Sequence, residues 1–223
     1  MRILLLTDSL GCPRDEIHPE KTWTERIIRK WADEDIIFYT VCSYGLSVSD
    51  VKMNYIRYIQ PDVVICQIGI VDASRRVLTR RELAWLSKSQ IVSKIVNKIC
   101  KKHHYFFSKI RDIHYASKQE FSSFIENLAE MAVKKVFIIQ IANPGEYLIN
   151  SVYRIVEDIE EYNNIIKSFQ GKKVHLINPY EKFEADDYTM GDGHHLNDLG
   201  LELVYKSVDV VLKKLTHNEE EVS

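Results

Sequence analysis

The chain has 223 residues, 45% of them apolar and 28% charged, and 30 Lys+Arg against 32 Asp+Glu give a formal net charge of -2. That apolar content suffices for one substantial buried core and excludes disorder along the whole chain. No apolar run approaches the roughly 18 residues needed to cross a bilayer, and Asp8 comes too early for a signal-peptide core, so a soluble cytoplasmic protein with no membrane span is expected.

Residues 3–7 are apolar on both faces, the pattern of a buried parallel strand, and Gly11 follows them. A helix is expected over 21–32, then a second strand over 36–41 that Gly45 ends. A helix over 48–60 stops at Pro61, and a third strand over 63–67 stops at Gly69. Residues 74–119 are too long for a crossover connection and carry their own apolar period at Leu83, Leu86, Ile91, Ile95 and Ile99. They read as a helical insertion above one end of the sheet. A helix over 118–134, a strand over 136–141 before Pro144, a helix over 152–169, a strand over 174–177 before Pro179 and a last helix over 199–215 complete the series. The tail from 218 onward, with three consecutive glutamates, is expected to fray. Strand and helix alternate, which predicts a single α/β domain over 1–223, its five-stranded parallel sheet covered by helices on both faces.

Two features of composition are local. Cys12, Cys42, Cys66 and Cys100 include no CxxC pair and read as free thiols rather than as a disulfide or zinc framework. Charge is unevenly spread. Between Ser74 and Gln119 twelve basic residues face two acidic ones, a net +10, while the rest of the chain carries eighteen against thirty, or -12.

In an open parallel sheet, ligands bind beyond the carboxyl ends of the strands. Three segments fall there: Thr7-Asp8-Ser9-Leu10-Gly11, Cys42-Ser43-Tyr44-Gly45, and Gly191-Asp192-Gly193-His194-His195-Leu196-Asn197 before the last helix. A serine hydroxyl attacks well only when a base takes its proton, and the base works best with a carboxylate behind it. Asp192 and His195, three apart in a turn, can place a carboxylate on Nδ1 and leave Nε2 to face Ser9. Nucleophile, base and orienting acid thus come from two loops.

Together these segments resemble the SGNH (GDSL-type) hydrolase family, which implies a flavodoxin-like three-layer α/β/α fold and a serine esterase needing no metal or cofactor. Its first block corresponds to Thr7-Asp8-Ser9-Leu10, its second-block glycine to Gly45, its third block GxND to Gly69-Ile70-Val71-Asp72, and its DxxH to Asp192-Gly193-His194-His195. The resemblance assigns Ser9, Asp192 and His195 to the catalytic triad, with the backbone N–H groups of Ser9 and Gly45 in the oxyanion hole. Thr7 stands where the family has glycine, and Val71 where it has the asparagine whose amide also serves the oxyanion. Losing one such donor costs on the order of 3 kcal/mol. Asn143, directly after the fourth strand, is a candidate replacement. The glycine-to-aspartate stretch with the arginine that follows is also similar to proteins of bacterial surface-polysaccharide clusters.

Arg14, Arg75 and Arg76, with Asp72 beside them as a loop-ordering carboxylate, stand near the same edge, and their guanidinium groups suit a carboxylate or phosphate. His103, His104 and His114 lack partners at ligand spacing and read as surface residues, and Lys101 to Phe107 as a solvated helix face rather than a nucleic-acid site. The expected partner is a small-molecule or carbohydrate ester, O-acetyl by preference and anionic if the arginines engage it. Two alternatives stay open: an acyltransferase on the same triad, and a weak or inactive binding module, which Val71 favours. The basic insertion is expected to cap the site and attract an anionic substrate.

Overall fold

The computed structural model describes residues 1–220, with side chains described as far as Thr216. Five parallel strands, β1 (Arg2–Thr7), β2 (Ile37–Cys42), β3 (Val63–Gln67), β4 (Lys135–Ile139) and β5 (Val174–Ile177), form one sheet in the order β2-β1-β3-β4-β5. This is the flavodoxin-like order, and its direction reverses between β1 and β3, where such sheets bind ligands. The central strands are buried on both faces: residues 3–6 and 63–65 are 0% exposed. β2 differs from the expected burial because it is an edge strand, and Ile37 is 56% exposed. β4 ends before Ile141 because the Asn163 side chain takes over both backbone groups of that residue, accepting from its N–H and donating to its carbonyl, each at 3.0 Å.

Helices cover both faces. α1 (Trp23–Lys30) starts where the Thr22 hydroxyl accepts from the Glu25 N–H. The helix expected over 48–60 is divided: a 3-10 turn over Val48–Asp50, closed by reciprocal Ser47 and Asp50 bonds, precedes α2 (Met53–Ile59). After β3 come the short α3 (Ile70–Ala73), then α4 (Arg80–Leu86), α5 (Gln90–Lys102) and α6 (His104–Arg111) within the insertion. α7 (Lys118–Met131) opens on a Ser117/Glu120 capping box. α8 (Glu146–Ser151) lies in a stretch where no helix is expected, and α9 (Ile155–Ser168), α10 (Ala185–Tyr188) and α11 (Asp198–Glu220) follow. α1 packs on α11, and α7 on α2 and α9, giving two helical layers. α11 continues into the stretch expected to fray, and residues 221–223 of that stretch lie outside the described residues.

One reading of the cysteines is corrected. Cys12 and Cys42 form a disulfide, while Cys66 and Cys100 are free. The register of the sheet explains the pairing: Thr7 lies beside Cys42, so the loop leaving β1 carries Cys12 back across the end of β2.

Candidate active site

The loop after β1 is held from within the sheet and from its own side chains. The Asp8 N–H donates to the Gln67 carbonyl at 3.3 Å, and the Asp8 carboxylate accepts from the Leu10 N–H at 2.9 Å, fixing Ser9 between them. His195 and Asp192 stand on the turn between α10 and α11. Gly193 makes that turn with φ of 73°, and a side chain there would meet the Leu148 nitrogen at 2.9 Å, so only glycine fits. The turn closes through the Met190 N–H donating to the His195 carbonyl at 2.7 Å.

These supports bring three side chains into line. Ser9 Oγ lies 3.1 Å from His195 Nε2, and His195 Nδ1 lies 2.6 Å from Asp192 Oδ2. A carboxylate can only accept, so Nδ1 carries the proton and Nε2 is left to accept from the serine hydroxyl. Asp192 Oδ1 accepts from the His195 and His194 N–H groups at 3.0 and 3.1 Å. Burial pushes the Asp192 carboxyl up, but the bonds from the His195 ring and from the two amides outweigh it and hold it below the usual carboxylate range. His194 tilts over His195 with ring centroids 3.9 Å apart, and burial, then the neighbouring His195, lowers its pKa to about 4.

Near the Ser9 hydroxyl, the Ser9 and Gly45 N–H groups donate no hydrogen bond among the described residues. Gly45, with φ of 63°, lies in the wall of a cavity of about 530 Å³ that also contains Ser9, Val71, Asp192 and His195. Asp72 has no exposure. It accepts from the Ser47 hydroxyl and, at 3.1 Å, from the Val48 N–H, so it anchors the loop that presents Gly45. Asn143 is exposed and stands outside the cavity wall.

The three arginines part company. Arg14 donates to the Ser9 carbonyl at 3.2 Å and to the Leu196 carbonyl at 3.1 Å, tying the Ser9 loop to the histidine turn, and it is not in the cavity wall. Arg75 is taken up by Asp158, at 2.7 and 3.4 Å, and by Asp112, and it also stands outside that wall. Arg76 lines the cavity. Its guanidinium donates to the Val71 carbonyl at 2.9 and 3.3 Å, and no carboxylate pairs with it among the described residues.

Sequence reasoning missed Lys101 and His104, which the insertion contributes to the cavity wall, and Tyr147 and Leu148 of α8. Only the basic content of the insertion signals the first pair. Asp192, His194 and His195 also offer ligand atoms within 4.8 Å of one another, as a metal site would. Ser9 and Asp192 Oδ2 already occupy the two ring nitrogens of His195, and the His194 and His195 N–H groups occupy Asp192 Oδ1, so a metal ion there would have to displace these hydrogen bonds.

No protein-family model matches the chain, and no curated protein matches it in sequence. Solved structures do match. A member of the lipolytic protein G-D-S-L family from Veillonella parvula superposes with a TM-score of 0.60 at 16% identity, covering 95% of this chain and 98% of that one. The chain has the SGNH-hydrolase fold. Other proteins of that fold with similar agreement are a carbohydrate esterase family 3 protein from Talaromyces cellulolyticus (TM-score 0.59, 13% identity, 97% and 98% covered) and a catalytic mutant of an acetylxylan esterase from Geobacillus stearothermophilus (TM-score 0.61, 11% identity, 93% and 91% covered). The SGNH fold places the loops after β1, β2 and β3 at one sheet edge, where Ser9, Gly45 and Val71 line the cavity.

Proposed function

We propose that this protein is a serine ester hydrolase acting on O-acyl, by preference O-acetyl, carbohydrate. The observation that carries the reading is the unbroken line from Ser9 Oγ through the His195 ring to Asp192, at 3.1 and 2.6 Å. Ser9 Oγ attacks the ester carbonyl while its proton passes to His195 Nε2, and the C–O double bond becomes an oxyanion facing the Ser9 and Gly45 N–H groups. Collapse expels the alcohol, which takes the proton from Nε2, and leaves an acyl-serine. Water then attacks with its proton going to the same nitrogen, and a second collapse returns the proton to Ser9 and frees the acid. Asp192, ionised throughout, stabilises the imidazolium formed in both steps.

The carbohydrate part rests on the likeness in fold to a carbohydrate esterase and an acetylxylan esterase. That the substrate also carries an anionic group rests on Arg76, the one of the three arginines that lines the cavity. Turnover of p-nitrophenyl acetate tests the reaction: Ser9→Ala should lower kcat by about a thousandfold or more. A fluorophosphonate should label Ser9 stoichiometrically, and His195→Ala should abolish the labelling. Equal rates for wild type and Ser9→Ala would refute the hydrolase.

A further inference from the structure

α5 is mounted with its apolar side outward. Ile91, Ile95 and Ile99, at i, i+4 and i+8, are 74%, 56% and 49% exposed, and no residue of the helix is buried. The less exposed side carries Ser93, Val96 and Cys100, each only partly covered. Phe106 and Ile110 on α6 and Trp85 on α4 are also exposed, at 57%, 63% and 64%, and both of these helices pack on α5. An ordinary surface helix does the reverse, so this face is built for something other than the core.

The charge around it is equally one-sided. From Leu83 to Arg111 there is no Asp or Glu. The six lysines of that stretch, at positions 88, 94, 98, 101, 102 and 109, form no ion pair among the described residues. In the acidic body, by contrast, Arg26, Lys30 and Lys213 are all paired with carboxylates. We propose that α4 to α6 form a docking surface for an anionic lipid bilayer: the isoleucine stripe, Trp85 and Phe106 enter the headgroup boundary while the lysines meet its phosphates. A second copy of the chain fits less well, since a two-fold contact through this face would set lysine against lysine. A bilayer supplies the apolar layer and the negative plane together. Lys101 and His104 belong both to this surface's helices and to the wall of the cavity, so docking sets the cavity beside the membrane. The surface stands whether or not Ser9 hydrolyses esters.

Co-sedimentation with vesicles of phosphatidylcholine alone, and with about one third phosphatidylglycerol, tests it on the full chain. Binding should be at least about tenfold tighter to the anionic vesicles and should weaken as salt rises. Ile95→Ser with Ile99→Ser, and separately Lys94→Gln with Lys98→Gln, should each weaken it about tenfold, with melting temperature unchanged. None of the four lines the cavity. Absence of binding, equal binding to both vesicles, or variants that bind as wild type would overturn the proposal. Self-association lost in the isoleucine variant, without vesicle binding, would assign the face to a second copy instead.

Discussion

Asp8 lies one residue before Ser9 with no exposure, and its Oδ2 has no hydrogen-bond partner among the described residues. Burial chiefly, and the nearby Asp72 in addition, push its carboxyl up to about 7, against the Leu10 N–H bond and the fields of Arg76 and Arg14. A folded pKa above the unfolded one means that the folded state holds the proton more tightly. Its contribution to stability is therefore complete below about pH 4 and is lost as pH rises through about 7. The loss is on the order of 4 kcal/mol for a shift of that size. Asp72, raised to about 6 by burial, acts in the same sense, whereas His194, lowered to about 4, acts in the opposite one. The informative quantity is thus the difference between wild type and Asp8→Asn. Denaturant unfolding should show the variant gaining stability relative to wild type as pH rises from about 5 to about 8. A difference that stays constant across that range would mean that Asp8 ionises in the folded protein as it does in water.

The disulfide acts at the scale of elements, joining the loop after β1 to the last residue of β2. Its sulfurs lie 3.3 and 3.8 Å from the Asp8 carbonyl oxygen, directly before Ser9. Closing a loop over a separation of 30 residues is worth about 3–4 kcal/mol by chain entropy. A reductant should therefore lower the melting temperature of wild type by about 10 °C. The Cys12→Ser, Cys42→Ser double variant should not respond to reductant at all. A wild type that melts at the same temperature with and without reductant would remove the disulfide from the account. The pairing escapes the sequence because it follows from strand register, which cysteine spacing does not encode. The strands themselves are legible, since burial on both faces demands uninterrupted Ile, Val and Leu, and the juxtaposition of Ser9, His195 and Asp192 is legible because turn chemistry and residue type coincide there. α5 shows the limit of such reading: its 3.6-residue period predicts a helix correctly but cannot say which way the apolar side points. The arginines show another, because only the fold reveals that Asp158 takes Arg75 while Arg76 has no carboxylate partner among the described residues.

Over the whole molecule the charge nearly cancels, yet +10 sits in residues 74–119 and -12 in the rest. Arg76 and Lys101 carry that positive region into the cavity that holds Ser9. Fixed charges at a cavity act on a ligand over about 8–10 Å at physiological ionic strength, and less as salt rises. An ester with a carboxylate on its acyl group should therefore be turned over with a kcat/KM that falls several-fold, about five- to tenfold, between about 20 and 200 mM salt. p-Nitrophenyl acetate, which is neutral, should show no such fall. Arg76→Gln separates the local contribution from the general field: the variant should lose most of the preference for the charged ester, through KM, while its rate on the neutral ester serves as an internal control for an intact triad. Equal salt dependence for the two esters would mean that the positive insertion does not act on substrate, and the split of charge would then belong to the outer face of α5 alone.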